Sequence, residues 1–424
     1  MSENGIKQKK GKTIVVVGAG IIGTCCALRL TREGHEVVLM DRNQPGSECS
    51  YGNAGGISPG SVIPMALPGI WKNVPSWLID KEGPLSVKWG YLPRASPWLL
   101  KWLLSSTKRA AEYSSLALFK LNQNVIQAYK ELLTEAEANK LIKHTGHLYV
   151  YRKKPNGKGD QFASYLRDLH GIKTEEVHGK EIIDIEPTIS SDFGYGLYLR
   201  EASFTINPQR LIATLVSNFQ KEGGVFTQDE VKHINDEGST YNLTTRTGCI
   251  KAEAVVIATG SWSKNLIPES EDSIPLETER GYHIMLHEPN LMPRLPVIAG
   301  DYKFFSTPME NGLRLAGTVE ISGLSSLPNW KRAELLLDHA KKVFPGLQAA
   351  GSSVWVGNRP SFPSSIPLID ESSKNKNIFY AFGHGHYGLS GGPGTAEIIS
   401  NMIDRKNPRI DIEPYSLKRH LSLK

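Results

Sequence analysis

The stretch Thr13-Ile14-Val15-Val16-Val17-Gly18-Ala19-Gly20-Ile21-Ile22-Gly23 decides the fold. Its apolar, β-branched half reads as a buried parallel strand, and its glycines fall where a helix should begin. Gly18 permits the tight turn, Gly20 lets backbone approach a pyrophosphate, and Gly23 lets the helix opened by Ile21 and Ile22 press on the strand. The helix N-terminal N–H groups and macrodipole then face the phosphates. A second strand, Glu36-Val37-Val38-Leu39-Met40-Asp41, ends in a carboxylate placed for ribose hydroxyls, with Arg42 just beyond it. The glycine spacing alone is a weak signal; strand, glycines, helix, strand and acid in that order are a strong one.

Working outward, 424 residues suffice for two to three domains, and 40% hydrophobic with 22% charged residues is ordinary for a globular protein. A net charge of +6 is mildly basic, which suits an anionic cofactor, a carboxylate substrate or a lipid surface. No lysine or arginine block is dense enough for nucleic acid. Of four cysteines, Cys25 and Cys26 are adjacent on the first helix, while Cys49 and Cys249 stand alone. No metal-ligand spacing exists among them, and a reducing, cytoplasmic setting is expected. The first twelve residues are polar with no secretory h-region, and no apolar run is long enough to span a bilayer.

Residues 42–56 form a small-residue loop, Arg42 to Gly56, readable as a surface turn or as a segment laid against a planar cofactor. Residues 61–114 carry Trp71, Trp77, Trp89, Trp98 and Trp102 among many prolines. Proline spacing argues against long helices before Pro97, after which Trp98–Leu104 reads as a short amphipathic helix. Tryptophan beside Lys108 and Arg109 fits a peripheral membrane contact, a cover over an active-site mouth or packing in the core. Helical spacing predicts one long helix from Leu116 to about Ala138, and another from Pro208 to about Lys221. A meander follows, then a second buried strand, Ala254–Ala258, ending in Thr259-Gly260. Short alternating strands between Glu279 and Thr318 predict a large antiparallel sheet. Finally, strand Ile378–Phe382 runs into a glycine-rich loop and a helix, a second helix N-terminus able to accept an anion.

These motifs resemble those of the D-amino acid oxidase superfamily of flavoproteins, and within it the D-amino acid dehydrogenase branch. They are Gly18–Gly23 with Asp41, Ser50-x-x-Asn53-x-Gly55, Ala258-Thr259-Gly260-x-Trp262-Ser263, Gly357-x-Arg359-Pro360, and Gly383-His384-Gly385-His386. They run in the family's order from Thr13 to about Arg405.

The resemblance implies an α/β (α+β) protein: a discontinuous Rossmann-like domain holding non-covalent FAD, and a substrate domain on a large, mostly antiparallel sheet. The expected FAD-binding segments are 11–60, 200–265 and 354–410, the substrate segments 61–199 and 266–353, and the polar tails 1–10 and 411–424. By the same resemblance Val231 contacts the adenine end, and Ala258, Thr259, Gly260 and Trp262 hold the ribityl and pyrophosphate region. Ser50, Asn53, Ala54 and Gly55 line the isoalloxazine, and Gly388, Leu389, Ser390, Gly391 and Thr395 serve its pyrimidine edge. Arg359 matches the arginine that grips the substrate carboxylate, and Tyr282 a tyrosine that adds a hydroxyl contact. The same resemblance sets His384 and His386 beside the flavin, with His386 the candidate catalytic residue, and either reads equally as a structural histidine.

The implied reaction is oxidative deamination of a D-amino acid, or oxidation of a cyclic imino acid such as D-proline or D-hydroxyproline. Hydride passes from Cα to flavin N5, and electrons go on to a quinone or other carrier. A glycine or sarcosine-type oxidase using O2 and a catalytically silent flavin-binding subunit are the rivals.

Overall fold

The computed structural model describes residues 11–72, 83, 85–268, 271 and 273–422. At its centre is β1 (Thr13–Val17), flanked in parallel by β2 (Glu36–Asp41) and by the strand Ala254–Ile257. Alternate β1 side chains enter different cores. Ile14 and Val16 meet Cys25 and Leu28 of helix α1 (Ile21–Arg32), whereas Val15 and Val17 join Val255, Ile257 and Leu243. A strand covered on both faces needs apolar residues at every position, which is why the run does not alternate. Each such side chain contributes about 1.5–3 kcal/mol on burial.

The full sheet has six strands, ordered Val225–Gln228, β2, β1, Ala254–Ile257, Ile378–Phe382 and Leu368–Glu371. All neighbours are parallel except the last pair. Its strands therefore come from three stretches of chain far apart in sequence.

A second, nine-stranded sheet stands over the carboxyl ends of the first. Its long edge pairs Ala349–Ser361 with Glu277–Pro289, which pairs in turn with Gly312–Ile321. The sheet is mostly antiparallel; the parallel contacts are His147–Tyr151 with Val297–Ala299, and Leu85–Val87 with Gly312–Ile321. The expected meander is present as Val231–Asp236, Tyr241–Thr245 and Cys249–Ala252.

Three local expectations change. The long helix from Leu116 is three helices, Lys108–Asn122, Val125–Leu132 and Glu135–Leu141. Thr134 restarts the chain with a capping box: its hydroxyl accepts from Glu137 N at 3.3 Å, and the Glu137 carboxylate accepts from Thr134 N at 2.8 Å. The helix expected to follow Pro97 instead spans Leu92–Leu104, with Pro93 in its first turn and Pro97 inside. Pro97 removes the N–H that would reach the Pro93 carbonyl, and the Ser96 hydroxyl donates to that carbonyl instead at 3.0 Å. Residues 411–422 are also no loose polar tail. Tyr415, Leu417 and His420 are buried, and Leu417 N donates to Asp370 Oδ2 at 2.7 Å.

Of the five tryptophans, Trp98 and Trp102 are buried and stacked at 6.5 Å, while Trp71 and Trp89 are exposed. Trp77 and residues 1–10 lie outside the described residues. No helix among the described residues is long and apolar enough to cross a membrane.

Candidate active site

A cavity of about 810 Å³ runs between the two sheets, near the upper end of the range for small-molecule sites. The parallel sheet contributes backbone to it. Gly18 has φ of +105°, and a Cβ there would sit 2.4 Å from the Ala258 carbonyl oxygen. A Cβ on Gly23 would sit 1.8 Å from Gly18 O, so Gly23 is outside the cavity wall and serves helix–strand contact. Gly20, Ile21 and Ile22 line the cavity at the start of α1. No side chain caps Gly20, and no acid lies in the first turn. The Ser50 hydroxyl accepts from Ile21 N at 3.0 Å. The Asp41 carboxylate stands at the rim, accepting from Ala19 N (2.7 Å) and Asn43 N (2.8 Å). Arg42 lies over the Trp262 ring at 4.2 Å, and both line the cavity with Val231, Ala258, Thr259 and Gly260.

A second helix, Gly388–Ile403, starts at the same cavity with no side-chain cap and no acid in its first turn. Its first bond runs from Gly391 N to Tyr387 O, so the N–H groups of Gly388, Leu389 and Ser390 precede the intrahelical ladder. Gly388 and Leu389 are in the cavity wall. Ser390, Gly391 and Thr395 are one layer back. The Ser390 hydroxyl accepts from Ser58 N at 3.2 Å, and Thr395 lies 2.7 Å from His384 Nε2. Two helix starts open onto one cavity, neither capped by its own N-cap side chain nor by a first-turn acid, and each favours negative charge.

The loop 50–56 is held by the antiparallel sheet. Arg314 Nη1 donates to the carbonyls of Tyr51 and Asn53, both at 2.7 Å, and the Thr307 hydroxyl donates to Ala54 O at 2.7 Å. Asn53 Oδ1 accepts from Gly55 N at 2.8 Å. Gly55, at φ +85°, gives its carbonyl to Thr205 N and is not itself in the wall, whereas Asn53 and Ala54 are. Arg314 is 4% exposed, and burial lowers its pKa to about 10.

Glycines also decide where Arg359 goes. Glu277–Pro289 and Ala349–Ser361 pair so that Glu279 faces Arg359 and Gly281 faces Gly357. A Cβ on Gly281 would lie 2.0 Å from the Arg359 guanidinium, and one on Gly357 would lie 1.9 Å from the Trp355 ring. Two large side chains therefore lie across two glycines on one face of the sheet. Arg359 donates from Nη1 to Thr318 O at 3.3 Å and is one of the cavity-lining residues. Burial lowers its pKa, opposed by Cys49 and Glu279.

Tyr282 departs from its expected place. Strand alternation turns it, with Arg280, to the opposite face from Glu279 and Gly281. Its hydroxyl donates to Glu320 Oε2 at 2.6 Å and accepts from Asn329 N at 2.9 Å. It is 1% exposed and is not in the cavity wall.

His384 and His386 both line the cavity. The Thr395 hydroxyl donates to Gly391 O (2.8 Å), which assigns the proton to His384 Nε2 and leaves Nδ1 an acceptor without a partner. Burial lowers the pKa of both histidines to about 3, with Arg359 adding to the effect at His386. Both are neutral near pH 7. His386 Nδ1 is 3.9 Å from the Glu279 carboxylate.

Sequence comparison identifies the family of the chain. The family model described as FAD dependent oxidoreductase matches residues 13–402. The chain belongs to that family. This flavoprotein is 38% identical over 420 residues to a D-amino-acid oxidase from Bradyrhizobium diazoefficiens, covering 97% of this chain and 100% of that protein. It is 30% identical over 420 residues to D-amino acid dehydrogenase 1 from Mesorhizobium japonicum, covering 96% and 99%. In fold, it matches a glycine oxidase from Geobacillus kaustophilus with a TM-score of 0.75 at 20% identity, covering 96% of this chain and 99% of that one.

The residues present fit FAD. The cavity reaches from Val231 to Arg359 in its lining, both helix ends that meet it lack competing carboxylate caps, and no Cβ narrows Gly18 or Gly20. Two further lining or supporting residues escaped sequence reading, Glu279 and Arg314, while Cys49, in the loop 42–56, lines the cavity. Burial raises the Cys49 thiol to about 12, so it is a neutral wall residue. Thr278-Glu279-Arg280-Gly281-Tyr282-His283 did carry a signal, since charges inside a buried strand require partners or a ligand.

Proposed function

We propose that this flavoprotein is a D-amino acid dehydrogenase, oxidising a D-amino acid or a cyclic imino acid such as D-proline at Cα and passing electrons to a quinone or other carrier. One observation carries this reading: the Arg359 guanidinium shares a single cavity with the helix start at Gly388. The names of the D-amino acid dehydrogenase relatives support it.

FAD, when bound, supplies the hydride acceptor. Arg359 holds the substrate carboxylate with parallel charge-assisted bonds and so fixes where Cα lies. The N–H groups opening the Gly388–Ile403 helix favour negative charge at the wall they face. His384 and His386, being neutral, carry no proton to give near pH 7. Trp98, Leu99 and Trp102 close the apolar side of the cavity against water. Exposed Trp89, Leu100 and Leu104 offer a carrier or lipid surface an apolar place to meet.

A second reading, an oxidase using O2, is favoured by the D-amino-acid oxidase relative at 38% identity. Anaerobic bleaching of the flavin by a panel of D-amino acids, prolines, glycine and sarcosine identifies the substrate. Reoxidation then separates acceptors: a quinone analogue should outpace air, and stoichiometric peroxide in air would establish the oxidase instead. Absence of bleaching by every compound would overturn the enzymatic reading in favour of a silent subunit.

A further inference from the structure

Glu279 is a buried carboxylate that the fold satisfies only in part: Ser361 and Arg359 favour its charge, but one oxygen is left over. It is 4% exposed, yet it lines the cavity, and its Oε2 has no hydrogen-bond partner. An orphaned buried carboxylate oxygen loses about 1–3 kcal/mol or more, so its persistence requires an account. Its neighbours supply one. It lies directly across the strand pair from Arg359, a register that places the two Cβ atoms about 4.5–5.5 Å apart. The Arg359 guanidinium leans away from it, over Gly281 toward Thr318. Positive and negative groups thus stand side by side on one wall, with neutral His386 at 3.9 Å beyond the carboxylate. The charged and titratable groups around Glu279 are Arg359 across the strand pair, His386 from the glycine-rich loop, and Glu277 on its own strand.

A ligand with only a carboxylate would satisfy Arg359 and worsen the position of Glu279. A ligand carrying a protonated nitrogen one carbon from its carboxylate satisfies both at once. We propose that Glu279 is the acceptor for the substrate's amino or imino nitrogen, so that Arg359 and Glu279 together read the zwitterion. This rests on the amino-acid reading above and adds to it the residue that rejects nitrogen-free acids. Arg359 sets where the carboxylate goes; Glu279 sets which end of the ligand points along the strand.

The test is equilibrium binding to the FAD-loaded enzyme without oxygen, read by perturbation of the flavin spectrum and of tryptophan fluorescence. Two matched pairs serve as probes: D-proline with tetrahydro-2-furoate, and D-alanine with D-lactate. Each pair differs in whether nitrogen or oxygen sits beside the carboxylate. Wild-type enzyme should bind the nitrogen member of at least one pair more tightly. Glu279→Gln, nearly isosteric, should weaken that member by about 10- to 100-fold, the worth of a hydrogen bond to a charged group. It should leave the oxygen member unchanged or tighter. Glu279→Asp keeps the charge with shorter reach and should restore part of the preference. FAD content and thermal midpoint serve as fold controls. Equal weakening of both members of a pair in Glu279→Gln, or no change in either, would overturn the proposal. Failure of every amino acid to bleach wild-type flavin is a separate outcome, and it strikes the amino-acid reading itself.

Discussion

The two sheets meet at one cavity but build their walls differently. The parallel sheet presents mostly backbone: glycines, carbonyls and two helix starts. The antiparallel sheet presents side chains: Arg359, Glu279, Trp355 and, one layer back, Arg314. A backbone wall suits features that all ligands of a class share, and helix starts of this kind favour negative charge. A side-chain wall can discriminate among substrates. Cofactor retention and substrate turnover should therefore separate by mutation.

The largest effect should come from the side-chain wall. Arg359→Ala should lower kcat/KM by about 10³-fold, matching the several kcal/mol carried by a buried charge-assisted pair. FAD content should stay near wild type. Gly281→Val should resemble it without touching the arginine, because the new Cβ would occupy the guanidinium's position. Steady-state kinetics with flavin quantitation decides both; loss of flavin in Arg359→Ala would break the division between the walls.

The reciprocal experiment is smaller. Asp41→Ala should weaken FAD binding by about 10- to 100-fold, since it removes a carboxylate that bonds two backbone N–H groups at the rim. At saturating FAD its kcat/KM should approach wild type. Apoprotein titration with FAD measures it, and unaltered affinity would remove Asp41 from the backbone wall.

The smallest effect lies between the walls. Burial lowers the pKa of His283, His384 and His386 to about 3 and of His147 to about 4. The unfolded chain binds protons at these groups below about pH 6.5, while the folded chain resists them until far lower. Their contribution to stability is thus full above pH 6.5 and lost progressively as pH falls toward 3–4. The thermal midpoint should be flat from pH 8 to 7 and fall from 6.5 to 5. His384→Asn should shallow that slope, and an unchanged slope would place the titration elsewhere.

The same division explains what could be read from sequence. Gly18 and Gly23 are legible because close backbone approaches restrict them to glycine, and Asp41 because it ends a strand of clear pattern. The restart at Thr134 was equally local, a Thr-x-x-Glu signal hidden under continuous helical spacing. Tyr282 and Glu279 could not be ranked that way. They are three residues apart on one strand, and only its pairing partners show which faces the cavity and which faces Glu320. Arg314 depended on a loop more than 250 residues earlier, tied to it by two carbonyls.

The six-stranded sheet also governs how the protein comes into being. Strand Ala254–Ile257 closes one side of β1, and Ile378–Phe382 in turn closes that strand. During synthesis the glycine turn at Gly18 emerges early, but the Ala258 carbonyl against which it packs arrives some 240 residues later. The second helix start, at Gly388, arrives later still. Such long-range pairing folds slowly, because loop closure precedes the contacts that reward it. A nascent chain released before residue 388 would lack the second helix start, so that wall of the cavity is absent until the helix has been made.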